Sequence, residues 1–142
     1  MYDSVMRAVN ASAGYAADDS GNGVAYVRMS FKEGGPRVLR VAFRVQRQPA
    51  LSGREVGYAA LTAVCAAVRR RGLDFVRFAV DDAALIADLQ KPDNVPPPLA
   101  MPYVRLGCGL NQFRRYEIAA LPASDADLTA RARSEAAMHV AA

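Results

Sequence analysis

Two stretches, VAYVRMSF (24–31) and VLRVAFRV (38–45), alternate apolar and polar residues with period two and are joined by KEGGP (32–36). Successive side chains of a strand point to opposite faces, and a Gly-Gly-Pro turn reverses the chain, so these residues specify a β-hairpin. In the second strand Leu39, Val41, Phe43 and Val45 share one face, while Arg40 and Arg44 share the other. Arg28 and Lys32 share one face of the first strand in the same way. A lone hairpin is marginal in water, so its apolar face needs a covering layer.

The following segment supplies that layer. Tyr58, Leu61, Cys65 and Val68 recur at helical spacing. Ser52 and Glu55 have the S-x-x-E spacing of a capping box, which predicts the helix start. Arg69-Arg70-Arg71 complements the dipole at its end, with phosphate binding as the other use of such a run, and Gly72 stops it. An apolar strand over 74–80 then closes at Asp81-Asp82 and leads into a short helix ending near Gln90. A proline-rich loop (91–98), a third helix (99–113), a fifth strand (116–121) and an Ala-rich helix from Ser124 complete the chain. Ahead of the hairpin, SVMRAV (4–9) reads as the first strand and 12–23 as a turn-rich loop. The order β-β-β-α-β-α-α-β-α predicts one α/β domain over 1–142. Its mixed five-stranded sheet is a three-strand antiparallel meander plus parallel strands, flanked by helices.

Composition narrows the chemistry. The 142 residues are 52% hydrophobic, with no apolar run near the ~20 residues that span a bilayer, so a cytoplasmic location without a membrane partner is expected. Cys65 and Cys108 stand apart without a CxxC or Cys/His cluster and are expected to be reduced packing residues. The single histidine, His139, lies near the end of the chain, which disfavours chemistry built on a buried imidazole. The net charge is +4, and 16 of the 18 basic residues are arginine, whose forked donors suit phosphate. The stripe Arg28, Lys32, Arg40 and Arg44 is accordingly either a solvated sheet face or a nucleic-acid-contacting one.

Three stretches carry more. GYAALTAVCAAVRRRG (57–72), FVRFAVDDAALIADL (75–89) and NQFRRYEIAALPASDADLTARA (111–132) read as helix, strand ending in Asp81, and strand followed by Asp127. In that order they resemble the ribonuclease H family, specifically its compact type-1 bacterial and archaeal branch. The resemblance implies two divalent cations, Mg2+ or Mn2+, held by four carboxylates and cleaving the RNA strand of RNA–DNA hybrids. The matching positions here are Asn10, Gly57, Asp81 and Asp127. Asn10-Ala11-Ser12 stands where the family has an aspartate, a small residue and serine. Gly57-Tyr58 stands where it has a glutamate before an aromatic residue. Pro122-Ala123-Ser124 lacks the His or Arg that the family often places after that proline.

An amide at Asn10 offers one neutral oxygen where two dications require charge, and Gly57 offers none. Glu55, two residues earlier, is the possible substitute acid, although it lies ~200° around the helix. Asp82 is available as a helix cap beside Asp81. The function expected is a ribonuclease H-like protein with an incomplete metal site, weak or inactive in hydrolysis and retained for nucleic-acid or protein binding. The alternatives are an active ribonuclease H using Asp81 and Asp127, and a self-associating assembly module.

Overall fold

Five strands form one mixed sheet in a computed structural model that describes residues 8–31 and 34–141. They are β1 (Ala8–Ala17), β2 (Asn22–Phe31), β3 (Arg37–Arg44), β4 (Phe75–Val80) and β5 (Arg115–Ala120), in the order β3-β2-β1-β4-β5. β1 and β2, and β2 and β3, pair antiparallel. β4 pairs parallel with β1 on one side and with β5 on the other. Helices α1 (Arg54–Arg69), α2 (Ala83–Gln90), α3 (Ala100–Leu110) and α4 (Ala126–Ala141) complete the expected order.

The sheet separates two unequal cores. α1 and α3 pack together, and α1 covers one face of β1, β2 and β3. Val9, Ala11, Ala13, Val27, Met29, Leu61, Val64, Val76, Phe78 and Leu106 belong to that larger core. α4 lies on the opposite face against β1 and β2, where Val24, Tyr26, Leu128 and Ala132 form the second, smaller cluster. No helix among the described residues is long and apolar enough to cross a membrane.

The first strand differs from expectation. Residues 4–7 lie outside the described residues, and β1 continues through 12–17, which were read as loop. Its sequence, AVNASAGYAA, carries few β-branched residues, so local propensity gives little signal. Two ladders hold it, because β1 is paired with β2 on one side and β4 on the other. Its small side chains also let α4 come close. A Cβ built on Gly14 would lie 2.6 Å from Thr129 Cα, and closer still to the Thr129 nitrogen and the Leu128 carbonyl carbon. The tight turn after β1 is closed by Asp18, whose Oδ1 accepts from the amides of Ser20 (2.9 Å) and Asn22 (3.0 Å).

The start of α1 also departs from the capping-box prediction. Gly53, at φ 87°, is the N-cap and no side chain caps there. Ser52 already adopts left-handed backbone at φ 52°, so its hydroxyl is not used as a cap. At α2 the sequence reading holds, since Asp82 Oδ1 accepts from the Leu85 amide at 3.0 Å.

Candidate active site and the sheet-face arginines

The parallel β1–β4 register fixes what stands beside Asp81 and Asp82. Ala13 pairs with Val80, so continuing the ladder brings Gly14 and Tyr15 alongside the two aspartates. The Tyr15 hydroxyl donates to Asp82 Oδ2 at 2.8 Å. Burial first, and then the charges of Asp82 and Asp81, push the phenol well above its ordinary range, so it stays a protonated donor. Gly57 faces this pair from α1. A Cβ there would lie 3.0 Å from the Tyr15 hydroxyl and closer still to Asp82 Oδ2. Asp82 cannot readily yield, because its other oxygen caps α2. Asp81 is exposed at the end of β4.

Asn10 does not join this group. It pairs with Arg77, four residues before Asp81, which is about 13 Å along a strand. It also lies on the face opposite α1, in a depression of about 350 Å³ shared with Ser12, Ser30, Arg77 and Asp125. The expectation that Asn10 would stand beside Asp81 went with a first strand placed at 4–9, whereas β1 runs through Ala8–Ala17. The residue on β1 that meets Gly57 and the β4 aspartates is Tyr15, which sequence reasoning passed over. Its signal was parity, because Tyr15 continues the Val9, Ala11, Ala13 face.

Asp127 opens α4 on that same opposite face and is engaged by Arg28. Arg28 Nη2 donates to Asp127 Oδ2 at 2.7 Å, and Nη1 reaches both Asp127 Oδ1 (3.1 Å) and Asp125 Oδ1 (2.7 Å). The guanidinium holds the Asp127 carboxyl below its usual range. The expected positions are thus divided between the two faces of the sheet. Among the described residues no group of three or more His, Cys, Asp or Glu side chains converges as a cation site. Among the described residues, Asp82 is bonded to the Tyr15 phenol, Gly57 brings no side chain, and Asp127 is bound to Arg28, an arrangement without the carboxylates that a pair of dications would need.

Glu55, the possible substitute, is committed elsewhere. It is 3% exposed, and its Oε2 accepts from the Gln48 amide (2.8 Å) and Arg47 Nε (3.2 Å). Burial opposes its charged form, yet these two donors prevail and hold the carboxyl below its ordinary value of 4.5. A depressed folded pKa means the stabilisation is complete above the unfolded value and is lost as pH falls through the folded one. Glu55→Gln is expected to cost about 2 kcal/mol near neutrality. It should also reduce the loss of stability between pH 6 and pH 3, as followed by urea melts across that range.

The described arginines of the stripe are hydrogen-bonded to protein groups, while Arg40 and Arg44 stay exposed on β3. α4 lies over β1 and β2 beside them. Arg40 is bonded to Glu135, which also accepts from the Tyr26 hydroxyl, and Arg131 stacks on the Tyr26 ring at 4.2 Å. Arg28 is held by Asp125 and Asp127, and Arg44 donates to Asn22 Oδ1. Lys32 lies outside the described residues. An Ala-rich helix with little amphipathic pattern gave no warning that its acids would pair with Arg28 and Arg40.

Sequence reasoning also missed a buried polar tie between α1 and α2. Asp88 is 2% exposed, and its Oδ2 accepts from the Tyr58 hydroxyl (2.7 Å) and Arg54 Nη2 (2.5 Å). The available signal was an acid three residues after Leu85 on the apolar face of a short helix, opposite an Arg and a Tyr spaced i, i+4.

Comparison with known proteins bears on the architecture. No family model and no curated protein sequence matches the chain. Among solved structures it is similar to RNase H1 from the halophilic archaeon Halobacterium salinarum NRC-1, with a TM-score of 0.72 and 19% identity over 93% of this chain and 98% of that one. It is similar to the N-terminal RNase H domain of a Mycobacterium tuberculosis protein, with a TM-score of 0.68 and 18% identity over 94% and 99% of the two chains. A third is LC11-RNase H1, solved in complex with RNA/DNA hybrid, with a TM-score of 0.61 and 12% identity over 89% and 91%. The mixed sheet flanked by four helices is the type-1 ribonuclease H fold.

Proposed function

We propose that this chain is a ribonuclease H-like nucleic-acid-binding protein in which two-metal hydrolysis is weak or lost. The observation that carries the reading is the filled space at Gly57. Tyr15 and Asp82, hydrogen-bonded to each other, occupy the volume that a glutamate side chain from α1 would need. A phenol kept protonated cannot balance the repulsion of two dications, and the Asp82 oxygens already serve Tyr15 and the α2 cap. Support for nucleic acid comes from the fold, from a structural neighbour bound to an RNA/DNA hybrid, and from the excess of arginine.

The test is a labelled RNA–DNA hybrid incubated with the protein and Mg2+ or Mn2+, followed by both cleavage and mobility shift. The expected result is hybrid binding with cleavage no greater than that of Asp81→Asn. Metal-dependent cleavage that Asp81→Asn abolishes would establish an active nuclease in place of this reading.

A further inference from the structure

The described arginines differ in their partners, and Arg37, Arg44, Arg105, Arg131 and Arg133 are among those in no ion pair. Arg28, Arg40, Arg47, Arg54 and Arg77 are each in an ion pair with a carboxylate. Arg69, Arg70 and Arg71 at the end of α1, and Arg114 and Arg115 at the start of β5, are exposed and form no ion pair among the described residues. These five lie toward one end of the molecule, with Arg70 and Arg71 on the β3 side, beside Leu39, Arg40 and Val41, and Arg114 and Arg115 on the β5 side. The amides of Arg114 and Arg115 both donate to the Asp74 carbonyl, at 3.0 and 3.3 Å, three residues after Arg71. The last turn of α1 and that of α3 also approach each other, since a Cβ on Gly109 would sit 3.4 Å from Cys65 Cβ.

Two of the five are already oriented. Arg71 Nη1 donates to the Ala67 carbonyl at 2.9 Å, and the Arg115 guanidinium lies 5.2 Å from the centre of the Phe75 ring. Fixing part of each side chain in advance lowers the entropy lost when a ligand binds. The nearby acids are Asp74 and Glu117, and Glu117 is held by Arg77 at 2.8 Å. One cation suffices to complement a helix C-terminus, so the dipole of α1 leaves most of this charge unexplained. The opposite end of β4, about 20 Å away for six residues, carries Asp81 and Asp82.

We infer that this arginine end is a docking surface for the phosphate backbone of nucleic acid. It is separate from the sheet-face stripe, whose described arginines are hydrogen-bonded to Asp125, Asp127, Glu135 and Asn22. The inference rests on the nucleic-acid reading above and deepens it, because a strand held at this end is kept clear of the aspartates. Guanidinium forks match phosphate oxygens in pairs, and the nucleic-acid reading above makes a phosphate backbone the occupant.

The experiment is fluorescence anisotropy with a labelled RNA–DNA hybrid over a series of salt concentrations. It compares the wild type with Arg69→Gln/Arg70→Gln/Arg71→Gln, with Arg114→Gln/Arg115→Gln, with all five combined, and with the control pair Arg105→Gln/Arg133→Gln. All are exposed positions, and circular dichroism melts confirm that each variant is folded. The five-fold variant is expected to lose at least about 30-fold in affinity at low salt, and its log–log salt slope should be shallower by about 3 to 4. The Arg114/Arg115 pair should lose more than the control pair, which removes the same charge elsewhere. Equal losses in those two pairs would overturn the assignment while leaving nucleic-acid binding intact. A wild type that does not bind the hybrid would remove both the function proposed above and this surface. Binding only to phosphatidylserine vesicles would give the arginine end to a membrane and overturn the inference.

Discussion

Gly14→Ala is expected to unseat α4 and lower the unfolding free energy by about 3 kcal/mol or more. The added methyl would meet backbone atoms of Leu128 and Thr129, so no side-chain rotamer can relieve the overlap. Relief requires α4 to move away from β1. That movement would uncover Leu128 and Ala132, which are buried against Val24 and Tyr26 in the smaller core. It would also strain the Arg28 bonds to Asp125 and Asp127 and the Arg40 bond to Glu135, since those acids lie on or just ahead of α4. Thermal unfolding should fall by about 10 °C for a chain of this size. A midpoint within 2 °C of the wild type would show that α4 is not seated on Gly14 as described.

The second large effect is expected at Asp88. Asp88→Ala leaves the Tyr58 hydroxyl and the Arg54 guanidinium without their shared acceptor beneath α2. Removing one partner of a buried ion pair is far costlier than replacing the whole pair, because the remaining charge is left uncompensated. Arg54 keeps part of its side chain in solvent, which places the loss near the lower end of the range, at about 3 kcal/mol. The companion variant Arg54→Met/Asp88→Leu should recover a substantial part of it. Urea denaturation of the two variants decides the matter. A double variant no more stable than Asp88→Ala would assign the loss to packing rather than to the unpaired charge.

The sequence was legible where pattern and environment agree. β2 and β3 alternate because one face of each meets α1, and β4 is apolar at Val76, Phe78 and Val80 because that face enters the larger core. Asp82 was read correctly as a cap because that role depends only on the residues immediately following it. β1 was displaced because its small residues give little strand signal, and Gly14 answers the close approach of α4, a demand made by residues more than a hundred positions away. With that displacement Asn10 was expected beside the β4 aspartates, where Tyr15 stands. Glu55 was given a local capping role, while its actual partners, Arg47 and Gln48, lie in the preceding loop. The pairing of Arg28 and Arg40 with acids was not legible, because an alanine-rich helix does not announce which strand residues its acids will meet.

The way α4 rests on Gly14 bears on the order in which the protein can assemble. β1 is the middle strand, yet one neighbour in the sheet arrives some sixty residues later and the helix over its other face more than a hundred later. Contacts so distant in sequence close slowly, because the loop entropy is lost before the packing is gained. During synthesis the 8–44 meander would therefore wait half-covered until residues 126–141 are available. A nascent chain lacking them should expose Tyr26 and Val24 and bind holdase chaperones.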